Sequence, residues 1–193
     1  MKCLAVDTTN SKLTVALICD DKSMSISKEI GKSGHSSMLM PAIDEFLKTN
    51  SIDIVEIDTV AAVIGPGSFT GIRIGVAAMT ALAFANNAKR IAVTAFELIA
   101  YNRAKVTAAV DAGHGNLYIA DCTDGKVITT GFAEGDAAKI SKNSSELAFE
   151  PDCDYGDALI GAVKRKIDNE EYVCVFEPFY MRKSQAEREK DEI

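Results

Sequence analysis

Two aspartates sit where a chain can do chemistry. Asp7 ends the apolar run Cys3 to Val6 and opens the hydroxyl-rich turn Thr8-Thr9-Asn10-Ser11. Asp111 ends the run Lys105 to Val110 and opens Ala112-Gly113-His114-Gly115. An acid at such a position can hold a metal-nucleotide in a cleft. It can equally well satisfy the N–H groups of its own turn. A third segment, GPGSFTGIRIG from Gly65 to Gly75, runs from a buried strand into a helix. Ser68 is its natural N-cap, and the N–H groups at that helix start form an anion site in principle. The segment is not a P-loop, because it lacks Gly-Lys-Ser/Thr and has no lysine between Ala62 and Asn87. Its glycines at 65, 67, 71 and 75 do not match GxGxxG either. Gly71 and Gly75, followed by Ala78, Ala81, Leu82 and Ala85, make a small-residue stripe. Each glycine costs a helix about 1 kcal/mol relative to alanine, so packing must offset it, within the chain or against another helix.

The elements that position these residues read off the hydrophobic pattern. Cys3 to Val6, Leu13 to Cys19 and Ser23 to Ile30 form a three-stranded antiparallel meander with a turn at Asp20-Asp21. Ser36 or Ser37 caps a helix running to Thr49, with Met38, Leu39, Ile43, Phe46 and Leu47 on one face. Thr59 to Ile64 is a buried strand, Ser68 to Asn87 a long apolar helix, Lys89 to Val93 a short strand and Phe96 to Asn102 a short helix. The pattern then restarts. Lys105 to Val110, Leu117 to Cys122 and Val127 to Phe132 are strands, with a hairpin turn at Asp124-Gly125. Asp157 to Ile167 is helical and Tyr172 to Phe176 is a last strand. Little between Phe132 and Tyr155 reads as ordered. Arg182 to Ile193 is a charged, frayed tail.

Composition narrows the class. Hydrophobic residues at 47% and charged ones at 25% predict a globular chain. A net charge of −7 argues against strong nucleic-acid binding by the chain alone, since that needs lysine and arginine on phosphates. The five cysteines, at 3, 19, 122, 153 and 174, are odd in number and show no C-x-x-C spacing. They predict buried reduced thiols rather than disulfides or zinc. The N-terminus lacks the apolar stretch of a signal peptide, and the run Ile74 to Ala85 is too short to span a bilayer. A cytoplasmic, membrane-free location is expected.

An internal repeat sets the expected fold. Shifted by 104 positions, residues 5 to 22 give seven identities in eighteen positions, among them Asp7 with Asp111 and Asp20 with Asp124. The reading is a duplicated lobe of mixed sheet flanked by helices. Two such lobes give an α/β, actin-like or ribonuclease H-like architecture, by analogy with known folds. The expected division is 1–102, a shortened second lobe 103–181, and the tail 182–193.

These residues resemble those of the TsaB (YeaZ) family, smaller degenerate relatives of the TsaD/Kae1 proteins. The marks are CLAVDTTNSKLTVAL, GHSSMLMPAIDEFL, VIGPGSFTGIRIG, AVDAGHGNLYIA and EPFYMR, covering nearly the whole chain. The resemblance implies a non-catalytic subunit of the bacterial machinery that adds a threonylcarbamoyl group to the adenosine beside the anticodon of ANN-decoding tRNAs. It implies pairing with TsaD through a helical interface, recruitment of the ATPase TsaE, homodimers when alone, and only indirect contact with tRNA. The implied interface residues are Met38, Leu39, Ile43, Gly71, Ile72, Gly75 and Met79. Asp7, Thr8, Thr9, Ser68 and Asp111 are secondary candidates for a nucleotide or anion contact. No intrinsic cofactor is expected, with ATP and Mg only in the complex.

TsaD relatives carry a His-x-x-x-His metal pair where this chain has Val93-Thr94-Ala95-Phe96-Glu97-Leu98-Ile99, and its two histidines, His35 and His114, fall in different lobes. Where the family carries Arg and Glu after the second-lobe acid, this chain has Gly113 and Asn116. The competing reading is an actin-like ATPase or phosphotransferase using Asp7. A peptidase is rejected, for want of H-E-x-x-H or a local nucleophile arrangement.

Overall fold

The computed structural model describes residues 1–20, 22–30, 34–134 and 147–181. Asp21 of the first turn and the tail 182–193 lie outside them. The first sheet has the order β3-β2-β1-β4-β5: β1 (Lys2–Asp7), β2 (Lys12–Cys19), β3 (Lys22–Glu29), β4 (Thr59–Val63) and β5 (Lys89–Val93). The strands β1 to β3 form the expected antiparallel meander, while β4 and β5 add in parallel. The second sheet has the order β8-β7-β6-β9: β6 (Lys105–Gly113), β7 (Asn116–Thr123), β8 (Lys126–Ala133) and the two-residue β9 (Leu147–Ala148). It repeats the first: an antiparallel meander with one parallel strand beside the leading strand. The Asp124-Gly125 turn has positive φ at both residues, as a two-residue hairpin loop needs.

Period two explains the layering. Leu4, Val6, Leu13, Val15 and Leu17 face one side of the first sheet, where α1 (His35–Thr49) and α2 (Phe69–Ala85) cover them. Cys3, Ala5, Ala16 and Ile18 face the other side. There α3 (Ala95–Ile99) and α4 (Tyr155–Asp168) pack, the latter through Ala158, Leu159, Ala162 and Val163. Thus α4, which follows the second sheet in the chain, closes the core of the first. α3 also serves the second core, where Phe96 and Ile99 meet Val106, Ala108 and Ala120.

Several sequence expectations change. α1 begins at His35 behind Gly34 and has no side-chain cap; the Ser37 hydroxyl donates to the Gly34 carbonyl instead. Its buried face is His35, Leu39, Ala42, Ile43, Phe46 and Leu47, and Met38 turns outward because it lies one step, about 100°, off that stripe. Tyr172 to Phe176 is not a strand. It makes only an isolated bridge, Val173 with Arg90, and then runs as a strap that buries Phe176 and donates the Phe179 N–H to the Ile64 carbonyl. All five cysteines are free, but only Cys3 and Cys122 are buried, and Cys174 is exposed. Burial pushes the Cys122 thiol up to about 11. No described helix is long and apolar enough to cross a membrane.

Candidate functional site

The strand-end acids do meet. β1 and β6 bring their C-terminal ends to one cleft of about 760 Å³, lined by Asp7 and Asp111. Thr9, Asn10 and Lys12 enter it from the β1–β2 turn, and Ser68 and Phe69 from the start of α2. Tyr118 of β7, Phe149 and Glu150 after β9, Tyr155 at the start of α4, and Phe179, Tyr180 and Met181 of the strap complete it.

Asp7 is buried and its carboxylate serves its own turn. Oδ1 accepts from the Thr9 N–H at 2.8 Å and from the Thr9 hydroxyl at 2.7 Å, while Oδ2 accepts from the Asn10 amide at 3.0 Å. Burial raises its pKa above the ordinary 3.8, against the lowering effect of those hydrogen bonds. The Thr8 hydroxyl donates to the Gly71 carbonyl at 2.7 Å, and Thr8 itself is outside the cleft lining. Ser68 is the predicted cap: its Oγ accepts from the Gly71 N–H at 3.2 Å, and its own N–H donates to the Thr9 carbonyl at 2.7 Å. Asp111 is exposed and accepts from the Gly113 N–H at 2.7 Å. Among the described residues no three His, Cys, Asp or Glu side chains converge as metal ligands. Among the described residues Lys12 is the one cation in the cleft lining, against three carboxylates. Within the turn the Thr9 N–H and hydroxyl and the Asn10 amide are spent on Asp7, and the Thr8 hydroxyl on α2.

The glycines of GPGSFTGIRIG have a different task. A Cβ at Gly67 would strike the Thr9 carbonyl, one at Gly71 the Thr8 carbonyl, and one at Gly75 the Thr8 hydroxyl. Spaced four apart, they let the Asp7 turn lie directly on α2. The stripe is therefore filled from within at these positions. Leu39, Ile43, Ile72 and Met79 are likewise buried in the chain's own core. Of the seven expected interface residues, only Met38 presents its side chain, at 39% exposure. What α1 leaves open includes Met38 and Met40, and what α2 leaves open includes Arg73, Ala77, Ala81 and Phe84. Phe84 is 85% exposed. The Arg73 guanidinium stacks 3.9 Å from the Phe69 ring centroid and donates from Nε to the Tyr180 hydroxyl at 3.1 Å, fastening the strap to α2.

Sequence reasoning missed the aromatic wall of the cleft. Tyr118 and the strap residues lie inside quoted motifs, but Phe149 falls in a stretch with no readable periodicity. Glu97, not singled out from sequence, is a second buried acid. It closes a capping box with Thr94 and pairs with Arg165 at 3.3 Å and Lys166 at 3.0 Å, tying α3 to α4. The T-x-x-E spacing at Thr94 was its signal.

Residues 26–148 match the family model described as TsaD: tRNA N6-adenosine threonylcarbamoyltransferase. The tRNA threonylcarbamoyladenosine biosynthesis protein TsaB of Haemophilus influenzae is 33% identical over 132 residues, 64% of this chain and 55% of that protein. The Escherichia coli protein of the same name is 31% identical over 127 residues, 63% of this chain and 54% of that protein. The chain thus spans about half the length of these relatives. YeaZ from Pseudomonas aeruginosa superposes with a TM-score of 0.76 at 22% identity, over 93% of this chain and 99% of that one. That likeness gives the fold, two mixed sheets flanked by helices in the actin-like, ribonuclease H-like arrangement.

Proposed function

Because the chain belongs to the TsaB (YeaZ) family, we propose that it acts in the biosynthesis of threonylcarbamoyladenosine in tRNA, as a protein-binding subunit and not as the catalyst. In this reading it docks on TsaD, helps recruit TsaE, and meets tRNA only through them. One observation carries the reading: the polar groups of the Asp7 turn are engaged with each other and with α2, while the outer faces of α1 and α2 carry unpaired apolar side chains. Exposed Phe84 with the small Ala77 and Ala81 on one face of α2 makes a surface another helix can approach closely. The contact residues then shift from the buried set expected from sequence to Met38, Met40, Ala77, Ala81 and Phe84.

The test is co-elution. The full chain mixed with TsaD at micromolar concentration is expected to elute as one species on gel filtration. Ala77→Glu with Phe84→Asp, both on exposed positions, is expected to separate the two proteins without lowering the melting temperature. Independent elution of the unaltered pair would overturn the reading. Gly75→Arg is unsuitable as an interface probe, because its Cβ already strikes Thr8 and the fold itself would suffer.

A further inference from the structure

The wall of the cleft is aromatic and its charge is nearly of one sign. Phe69, Tyr118, Phe149, Tyr155, Phe179 and Tyr180 line it, six of the thirteen Phe and Tyr (eight and five) in the chain. Among the described residues Lys12 is the one cation of the lining, against the exposed carboxylates of Asp111 and Glu150, the Asp7 carboxylate being held in its own turn. Lys12 is not poised to greet a phosphate. Its Nζ sits 4.6 Å from the centroid of the Tyr155 ring, within the roughly 6 Å over which a ring face attracts a cation. The chain's own ammonium thus shows how the cleft receives one.

We propose that the cleft is a receptor for an alkylammonium group, from a free polyamine or from a lysine side chain of a peptide, with Lys12 as its internal competitor. Arg73 already covers Phe69 and reaches Tyr180, so the receiving face is that of Tyr155, and an aromatic face in a cleft with carboxylates is what recognises such a cation. A cavity of about 760 Å³ lies within the roughly 300–1,000 Å³ of small-molecule sites. Burial first, then the carboxylates of Glu150, Asp7 and Glu29, push the Tyr155 hydroxyl upward, so the ring that Lys12 covers lies in a negative field. Asp111 and Glu150 are exposed carboxylates, able to turn toward an incoming cation. Phosphate meets poorer conditions, since the Thr8 and Thr9 hydroxyls already donate to the Gly71 carbonyl and to Asp7, and the exposed charges of the described lining are mostly negative. None of this rests on the tRNA-modification reading.

Calorimetric titration of the full chain at low salt tests it with four probes: cadaverine, an acetylated and amidated pentapeptide with one central lysine among alanines, ATP and inorganic phosphate. Saturable heat is expected from cadaverine or the peptide, and which of the two binds more tightly separates the sources. ATP and phosphate are expected to give none. Lys12→Ala should free the Tyr155 face and tighten amine binding by about fivefold. Asp111→Asn with Glu150→Gln should weaken it by about tenfold or more. Both sites are exposed, and thermal melts will establish that the variant folds. No amine binding by either the unaltered chain or Lys12→Ala would overturn the proposal. So would affinities indifferent to both sets of changes, or tighter binding of ATP.

Discussion

At the residue scale the cleft turns on Asp7. Its carboxylate organises three donors within four residues, so its removal leaves them buried and unpaired. Asp7→Ala is expected to destabilise the chain by about 2–4 kcal/mol, measured by urea unfolding. The pH dependence has a definite sign. Folding raises the pKa of this carboxyl, so the native state holds the proton more tightly than the unfolded chain does. Asp7 therefore adds its stability below the ordinary 3.8, and that contribution is lost as pH rises through the folded value. Relative to Asp7→Asn, which does not titrate there, the unaltered chain should lose ground as pH rises above 3.8 and level off once it passes the folded value, in paired urea titrations. A flat difference would mean that Asp7 titrates alike in both states.

At the element scale the question is why α2 tolerates glycine. Alanine at either position gains about 1 kcal/mol of helix propensity, yet a Cβ must displace what lies against it. At Gly71 that is the Thr8 backbone carbonyl, and at Gly75 it is the end of the Thr8 side chain, which can rotate. Gly71→Ala is therefore expected to lower stability by about 2 kcal/mol net, and Gly75→Ala by less, with thermal melts as the measure. The reverse order would mean that the turn does not rest on α2 as described. α3 offers a second case. Glu97 caps its own helix and receives two cations from α4, all three side chains largely shielded from water. Glu97→Ala removes the cap's partner and leaves both cations short of a counter-charge, with an expected loss of about 3 kcal/mol. Lys166→Met alone should cost less, since Arg165 remains.

At the scale of the whole molecule, two sheets of like topology share one cleft, and the surrounding elements come from distant parts of the chain. The strap at 172–181 crosses from the β5 edge to the cleft mouth, where Tyr180 is held by Arg73 and stacks 4.8 Å from Phe69. Arg73 lies on the face of α2 that the proposed partner would cover. Arg73→Ala is expected to leave the core intact but to loosen the strap, visible as faster amide exchange at Phe179 and Tyr180. Unchanged exchange would mean that the Phe179 to Ile64 backbone bond holds the strap without it.

The amino-acid sequence by itself determined the parts governed by local pattern. Period two marked the meanders, the glycine-serine turn marked the start of α2, and the 104-residue shift marked the repeated sheet. Those signals depend only on neighbours along the chain. Tertiary structure decided what lies against what. Gly71 and Gly75 read as a surface stripe until Thr8 occupies it. Leu39, Ile43, Ile72 and Met79 read as an interface until the first sheet covers them. Tyr172 to Phe176 has a strand's composition but meets only one ladder position. The two aspartates opened the sequence as equals, and packing separated them. Asp7 is sealed under its own turn and α2, while Asp111 stays at the cleft's open side, because only the first acid has a glycine helix to lie against.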